Sequence, residues 1–165
     1  MDDLRGGGVG EPAADGRGRT WAVEGVRPGS AAGEALVCTE PISGWGGIDP
    51  ATGTIVETRH PQHGAGFAGK ILVIPGAKGS SGWSGQFHLA MLNGTAPAAI
   101  VFDRLNTKLA LGLVVLRTPA VTGGETAFTG VIRTGDQVHV DADNGLLTVT
   151  APGPGTPLPQ QEGKT

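Results

Sequence analysis

Residues 70–102 read KILVIPGAKGSSGWSGQFHLAMLNGTAPAAIVF, and this stretch decides the fold. It opens and closes on apolar runs of strand length, residues 70–74 (KILVI) and 98–102 (AAIVF), neither of which alternates with polar residues. Continuous runs of this kind suit strands covered on both faces. Between them, residues 84–93 (SGQFHLAMLN) place Phe87, Met91 and Leu92 at helical spacing, with a serine available as N-cap and Gly94 just beyond the end. Strand, helix, strand in this order predicts a parallel βαβ unit with a right-handed crossover. A second helical interval over 104–111, closed by Gly112, and a strand over 113–116 (LVVL) extend it.

Working outward, further strand-length runs lie at 35–42 (ALVCTEPI), 54–57 (TIVE), 137–141 (QVHVD) and 146–150 (LLTVT). The last two alternate as half-exposed strands do, around Asp143-Asn144-Gly145, where Asn-Gly tolerates positive φ in a hairpin. The expected fold is α/β of β/β/α type: a small, mostly parallel βαβ core backed by an outer β layer from both ends of the domain. Residues 1–20 and 151–165 are rich in Gly and Pro with almost no aliphatic pattern, which predicts disordered tails around a single domain at 21–150.

Composition narrows the function. The 165 residues carry 12 Lys+Arg against 15 Asp+Glu, a net charge of −3, with no basic cluster to attract nucleic acid. No apolar run is long enough to span a bilayer. The N-terminus lacks a secretory pattern and the one cysteine, Cys38, has no internal partner, so the expected compartment is the reducing cytoplasm. Cys38 lies in an apolar run and reads as a small buried hydrophobe.

Two segments can carry chemistry. Residues 74–85 (IPGAKGSSGWSG) form a Gly/Ser-rich turn from strand to helix, where glycines let the backbone approach a ligand, helix-start N–H groups attract an anion and a hydroxyl can reach substrate. It is not a Walker A loop, because Lys78 precedes the serines. Taken alone, it reads first as a plain connection, as most Gly/Ser-rich strand-to-helix turns are. In residues 41–50 (PISGWGGIDP), Trp45 stands among Gly44, Gly46 and Gly47, giving the main chain close access to a neighbour or a ligand. Trp45, Gly46 and Gly47 are therefore candidate substrate contacts, although Asp49-Pro50 and Thr52-Gly53 also make turns. His60 and His63 are three apart with nothing nearby to complete a metal set, so no metal site is expected. His88, one turn past Ser84, reads as an exposed helix position.

Read together, residues 40–43 (EPIS), 46–53 (GGIDPATG), 60–64 (HPQHG), 68–73 (AGKILV), 78–81 (KGSS), 94–100 (GTAPAAI) and 110–112 (ALG) resemble the aconitase X swivel domain, also called the small subunit of that family. The resemblance covers about residues 22–150. It implies a swivelling β/β/α domain and a hydro-lyase of two subunits. The large subunit of this heterodimer supplies an iron or iron–sulfur centre, and the small one binds no cofactor. The family's proton acceptor, the serine of its Lys-Gly-Ser-Ser/Thr loop, falls on Ser80, with Lys78, Gly79 and Ser81 lining the same pocket. Dehydrating a hydroxy acid needs a base, an anion cradle and a Lewis acid, and this sequence offers only the first two, so no turnover is expected without the large subunit. Two departures stand out: Gly44 where an aromatic is expected, and Trp83 beside the serine pair, expected to shrink or cap the pocket.

Within the family two substrates compete, cis-3-hydroxy-L-proline and 5-phosphomevalonate. A phosphate calls for several cationic contacts, whereas the loops offer Lys78, with Arg59 and Arg104 as possible additions, which favours the amino acid. Residues 134–141 (TGDQVHVD) also resemble the closing strands of mobile phosphohistidine domains, but residues 76–85 contain no histidine to carry the phosphoryl group. A non-catalytic binding module of the same fold is the remaining alternative.

Overall fold

The computed structural model describes residues 18–43, 46–78, 82–104, 113 and 117–150, with the backbone alone at 77, 78, 82 and 84. Strands β1 (Arg19–Ala22), β2 (Glu24–Arg27) and β3 (Ser30–Val37) lead to three short ones, β4 (Ile42–Ser43), β5 (Ile48–Asp49) and β6 (Thr54–Ile55). Then come β7 (Ile71–Ile74), β8 (Ala77–Lys78), helix α1 (Gly82–Leu92), β9 (Ala99–Phe102) and β10 (Ala120–Thr122). A 3₁₀ turn, η1 (Phe128–Gly130), precedes the hairpin of β11 (Gln137–Asp141) and β12 (Leu146–Thr150). No helix among the described residues is long and apolar enough to cross a membrane.

Eight strands form one sheet in the order β1-β12-β11-β3-β7-β9-β10-β2. The middle four are parallel, and the flanking ones are antiparallel. β3 belongs to both parts: its first half pairs with β11 and its second, Ala35 to Val37, with β7. β1 and β2 stand at opposite ends of the order yet are separated by Val23 alone, so the sheet curls until its ends meet. The Val23 N–H donates to the Gly145 carbonyl (2.9 Å), and Gly25 packs so closely on the Ala142 carbonyl that a Cβ there would stand 2.3 Å from it.

Side chains of the parallel strands alternate between two cores. Ala35, Val37, Ile71, Val73, Ala99 and Val101 face the inside of the curl, with Trp21, Phe128, Val138 and Leu147. Leu36, Leu72, Ile74, Ile100 and Phe102 face outward under α1, with Ile42, Ile48, Ile55 and Phe67 from the short strands. Both faces of β7 and β9 are buried, which is why they read as unbroken apolar runs.

Four expectations are corrected. The strand expected at 113–116 is not the one that follows β9: Leu113 is helical and buried, and the parallel neighbour of β9 is β10. Residues 114–116 lie outside the described residues, as do 105–111 of the second helical interval, residues 1–17 and residues 151–165; the expected N-terminal tail of residues 1–20 ends too late, because Arg19 and Thr20 already belong to β1, paired with β12. α1 starts two residues earlier than its expected serine cap, so its buried face is Trp83, Phe87 and Ala90, while Leu92 points outward at 67% exposure. Its end is as expected: Gly94 takes φ +74°, its N–H bonds the Met91 carbonyl (3.1 Å) and the Thr95 N–H bonds that of Ala90 (2.8 Å), a Schellman cap. In the β11–β12 hairpin only Gly145 of the Asn-Gly pair has positive φ, +67°. Asn144 instead grips Asp141, its N–H on Oδ1 (3.2 Å) and its Nδ2 on Oδ2 (2.7 Å).

A candidate active-site cleft

β3, β7, β9 and β10 run parallel, so their carboxyl ends share one edge of the sheet, where ligands bind in open α/β folds. A cleft of about 790 Å³ lies along this edge. Thr39 and Pro41 follow β3, Pro75 and Gly76 follow β7, Asp103 and Arg104 follow β9, and Gly124 and Glu125 follow β10; Ala127 and Thr129 complete the wall. Backbone bonds extend the parallel pairing into the loops, Asp103 N–H to the Ile74 carbonyl (3.1 Å) and Arg104 N–H to the Pro75 carbonyl (3.0 Å).

Beyond Gly76 the chain enters β8, which pairs in parallel with β4, setting Ala77 against Ile42 and Lys78 against Ser43. This pairing joins the two glycine-rich segments that the sequence singles out. Gly47 is buried against the Ser43 carbonyl, where a Cβ would stand 1.8 Å from the oxygen, and its own carbonyl accepts the N–H of Val56 (2.9 Å). Gly46 is exposed with φ +72°. Of the expected site residues, Lys78, Gly46 and Gly47 thus lie around one strand pair, while Trp45, Gly79, Ser80 and Ser81 lie outside the described residues. The segment that carries Ser80 is held at both ends, by β8 at Lys78 and by α1 from Gly82.

Trp83 does not cap the cleft, contrary to expectation. In the first turn of α1 it shares a face with Phe87 four residues on, is 3% exposed and stacks on that ring at 4.2 Å, with Phe102 at 6.0 Å. The bulk beside the serine pair goes into the core.

His60 is buried and bonds to the segment between β3 and β4. Its Nδ1 accepts the Gln62 N–H (3.0 Å), so Nε2 carries the proton and donates to the Glu40 carbonyl (3.0 Å), the neutral tautomer. Gln62 Oε1 accepts the Thr39 N–H (3.1 Å), so one loop secures the whole passage from β3 to β4. His63 Nδ1 donates to the Glu57 carbonyl (3.1 Å). Among the described residues no three His, Cys, Asp or Glu side chains gather as a metal site. Burial pushes the Cys38 thiol up to about 12, so it is no thiolate ligand near neutral pH. An iron or iron–sulfur centre does not fit these residues.

The cleft brings forward residues that the sequence reading passed over or left open: Thr39, Asp103, Arg104, Glu125 and Thr129. The Thr129 N–H bonds Asp103 Oδ1 (3.1 Å) and its hydroxyl bonds Oδ2. Arg104 is exposed, and its side chain has no hydrogen bond or ion pair among the described residues. The available signal was positional: Asp103-Arg104 is the first polar pair after a fully apolar strand.

Comparison with known proteins agrees with this architecture. The family model described as aconitase X swivel domain matches residues 20–149. The phosphomevalonate dehydratase small subunit of Methanothermobacter thermautotrophicus is 39% identical over 122 residues, 74% of this chain and 93% of the relative. That of Archaeoglobus fulgidus is 40% identical over 129 residues, 77% and 96% of the two chains. Among solved structures, holo aconitase X of Thermococcus kodakaraensis superposes with a TM-score of 0.74 at 34% identity, covering 79% of this chain and 97% of that one. With a family model over residues 20–149, relatives of this identity and a solved neighbour of the same overall fold, the chain belongs to the aconitase X swivel-domain family and is the small subunit of an aconitase-X-type dehydratase.

Proposed function

We propose that this chain is the small subunit of a phosphomevalonate dehydratase, that it works with a large subunit, and that Ser80 is the proton acceptor. The observation that carries the substrate is the name borne by relatives 39% and 40% identical over more than nine-tenths of their own length. The preference for cis-3-hydroxy-L-proline gives way to it. That preference rested on a shortage of cations in the loops, and Arg104 on the cleft wall adds one.

5-Phosphomevalonate is a β-hydroxy acid. Dehydration takes a proton from C2, beside the carboxylate, and expels hydroxide from C3; the electron pair of the broken C–H bond becomes the new double bond. A serine hydroxyl accepts a proton only as its alkoxide, which needs positive charge close by. Lys78, the loop N–H groups and the N-terminus of α1 supply it in this reading, and the anchoring of residues 78 and 82 by β8 and α1 supports it. Gly46 and Gly47 border the same strand pair and are candidate substrate contacts, as is Trp45, which lies outside the described residues. The iron or iron–sulfur centre that accompanies this reading belongs to the large subunit, and this chain's part is confined to the proton and the substrate's anionic groups.

The test is turnover of 5-phosphomevalonate and of cis-3-hydroxy-L-proline by each purified subunit and by the reconstituted pair. The expected result is dehydration of phosphomevalonate by the pair alone. Turnover of the amino acid in its place, or by this chain unaided, would overturn the reading.

A further inference from the structure

We propose that Arg104 is the phosphate-binding residue of the cleft and sets the preference for a phosphorylated substrate. The inference rests on the functional reading above and deepens it. The cleft, at about 790 Å³, falls within the range of about 300–1,000 Å³ usual for small-molecule sites, and it occupies the strand edge where this class of fold binds ligands. Its charged groups are unequally engaged. Asp103 has both oxygens bonded to Thr129, which fixes it as a tie between the end of β9 and η1. Arg104, next in the chain, lines the cleft, is exposed and pairs with no carboxylate among the described residues. A guanidinium forms a planar fork of donors that matches two phosphate oxygens, which a lysine cannot reproduce.

Position supplies the second half of the argument. The Arg104 N–H is bonded to the Pro75 carbonyl at 3.0 Å, so the residue is pinned to the segment that runs through Gly76 into β8. An anion on Arg104 is therefore held where β7 and β9 leave the sheet, on the wall built by described residues of the cleft. The phosphate of phosphomevalonate lies at the opposite end of the molecule from its reacting C2, so the functional reading needs an anion-binding residue apart from the proton acceptor.

The experiment compares the wild-type pair with pairs carrying Arg104→Ala and Arg104→Lys, assayed on 5-phosphomevalonate and on mevalonate, which lacks the phosphate. With Arg104→Ala, kcat/KM on phosphomevalonate falls by about 10- to 100-fold, chiefly through KM, while kcat/KM on mevalonate stays within about 2-fold. Arg104→Lys recovers only part of the loss. Arg133→Ala, on an exposed residue outside the cleft, changes neither. Equal losses on both substrates, or no loss, overturn the inference. Should the wild-type pair fail on phosphomevalonate, the functional reading falls separately, and calorimetric binding of inorganic phosphate decides the role of Arg104. A dissociation constant raised at least about 10-fold by Arg104→Ala upholds the inference; equal affinity, or no binding by the wild-type pair, overturns it.

Discussion

Cys38 sits at the end of β3 with its N–H on the Val73 carbonyl (2.8 Å) and none of its surface exposed. Desolvation alone raises its thiol to about 12, against 9.0 in water. A pKa raised by folding means that the contribution to stability is complete below about pH 9 and fades as the pH climbs toward 12. Iodoacetamide at pH 8 is therefore expected to leave the folded chain unlabelled and to modify it fully in denaturant; rapid labelling of the native chain would contradict the burial. Gly47 makes a second residue-scale prediction. With a Cβ directed at the Ser43 carbonyl, Gly47→Ala displaces the turn that holds β4 against β8, at a cost of about 1–3 kcal/mol in chemical denaturation. An unchanged midpoint would refute the contact. Asp141 behaves oppositely to Cys38: the Asn144 side chain and N–H hold its carboxyl below the ordinary carboxylate range. Its contribution is present above that range and lost in acid.

At the scale of elements, α1 shows what a sequence reveals and where it stops. The period of Phe87 and the stop at Gly94 were legible because both are local: one depends on helical geometry, the other on a glycine in the left-handed region. The start was not, because Trp83 becomes a core residue only when Phe102 of β9 is placed beneath it. Trp83→Ala removes the stack on Phe87 and opens a void under the helix, with an expected loss of about 3–5 kcal/mol. A loss below about 1 kcal/mol would mean that the indole is peripheral after all. The strands divide in the same way. β7 and β9 announced themselves as apolar runs, while β1 (RTWA) and β2 (EGVR) are short, mixed in character and formed by partners far along the chain, β12 and β10.

For the whole molecule, the mixed sheet and the helix-covered parallel core were readable, since alternating and continuous apolar patterns mark the two kinds of strand. The closure of the sheet at Val23 was not, for it follows from pairings that no local pattern encodes. The cleft was hidden for the same reason: Thr39, Gly76, Arg104 and Glu125 converge only once four strands share a direction. Ser80 came from family resemblance together with its place in a Gly/Ser loop, and the fold sets one described element on each side of that loop, β8 before it and α1 after it. The most direct measurement replaces Ser80 with alanine in the reconstituted pair and follows dehydration of 5-phosphomevalonate. The account predicts that kcat drops by about 100- to 10,000-fold with KM and subunit association unchanged. A kcat within about 3-fold of wild type would contradict it.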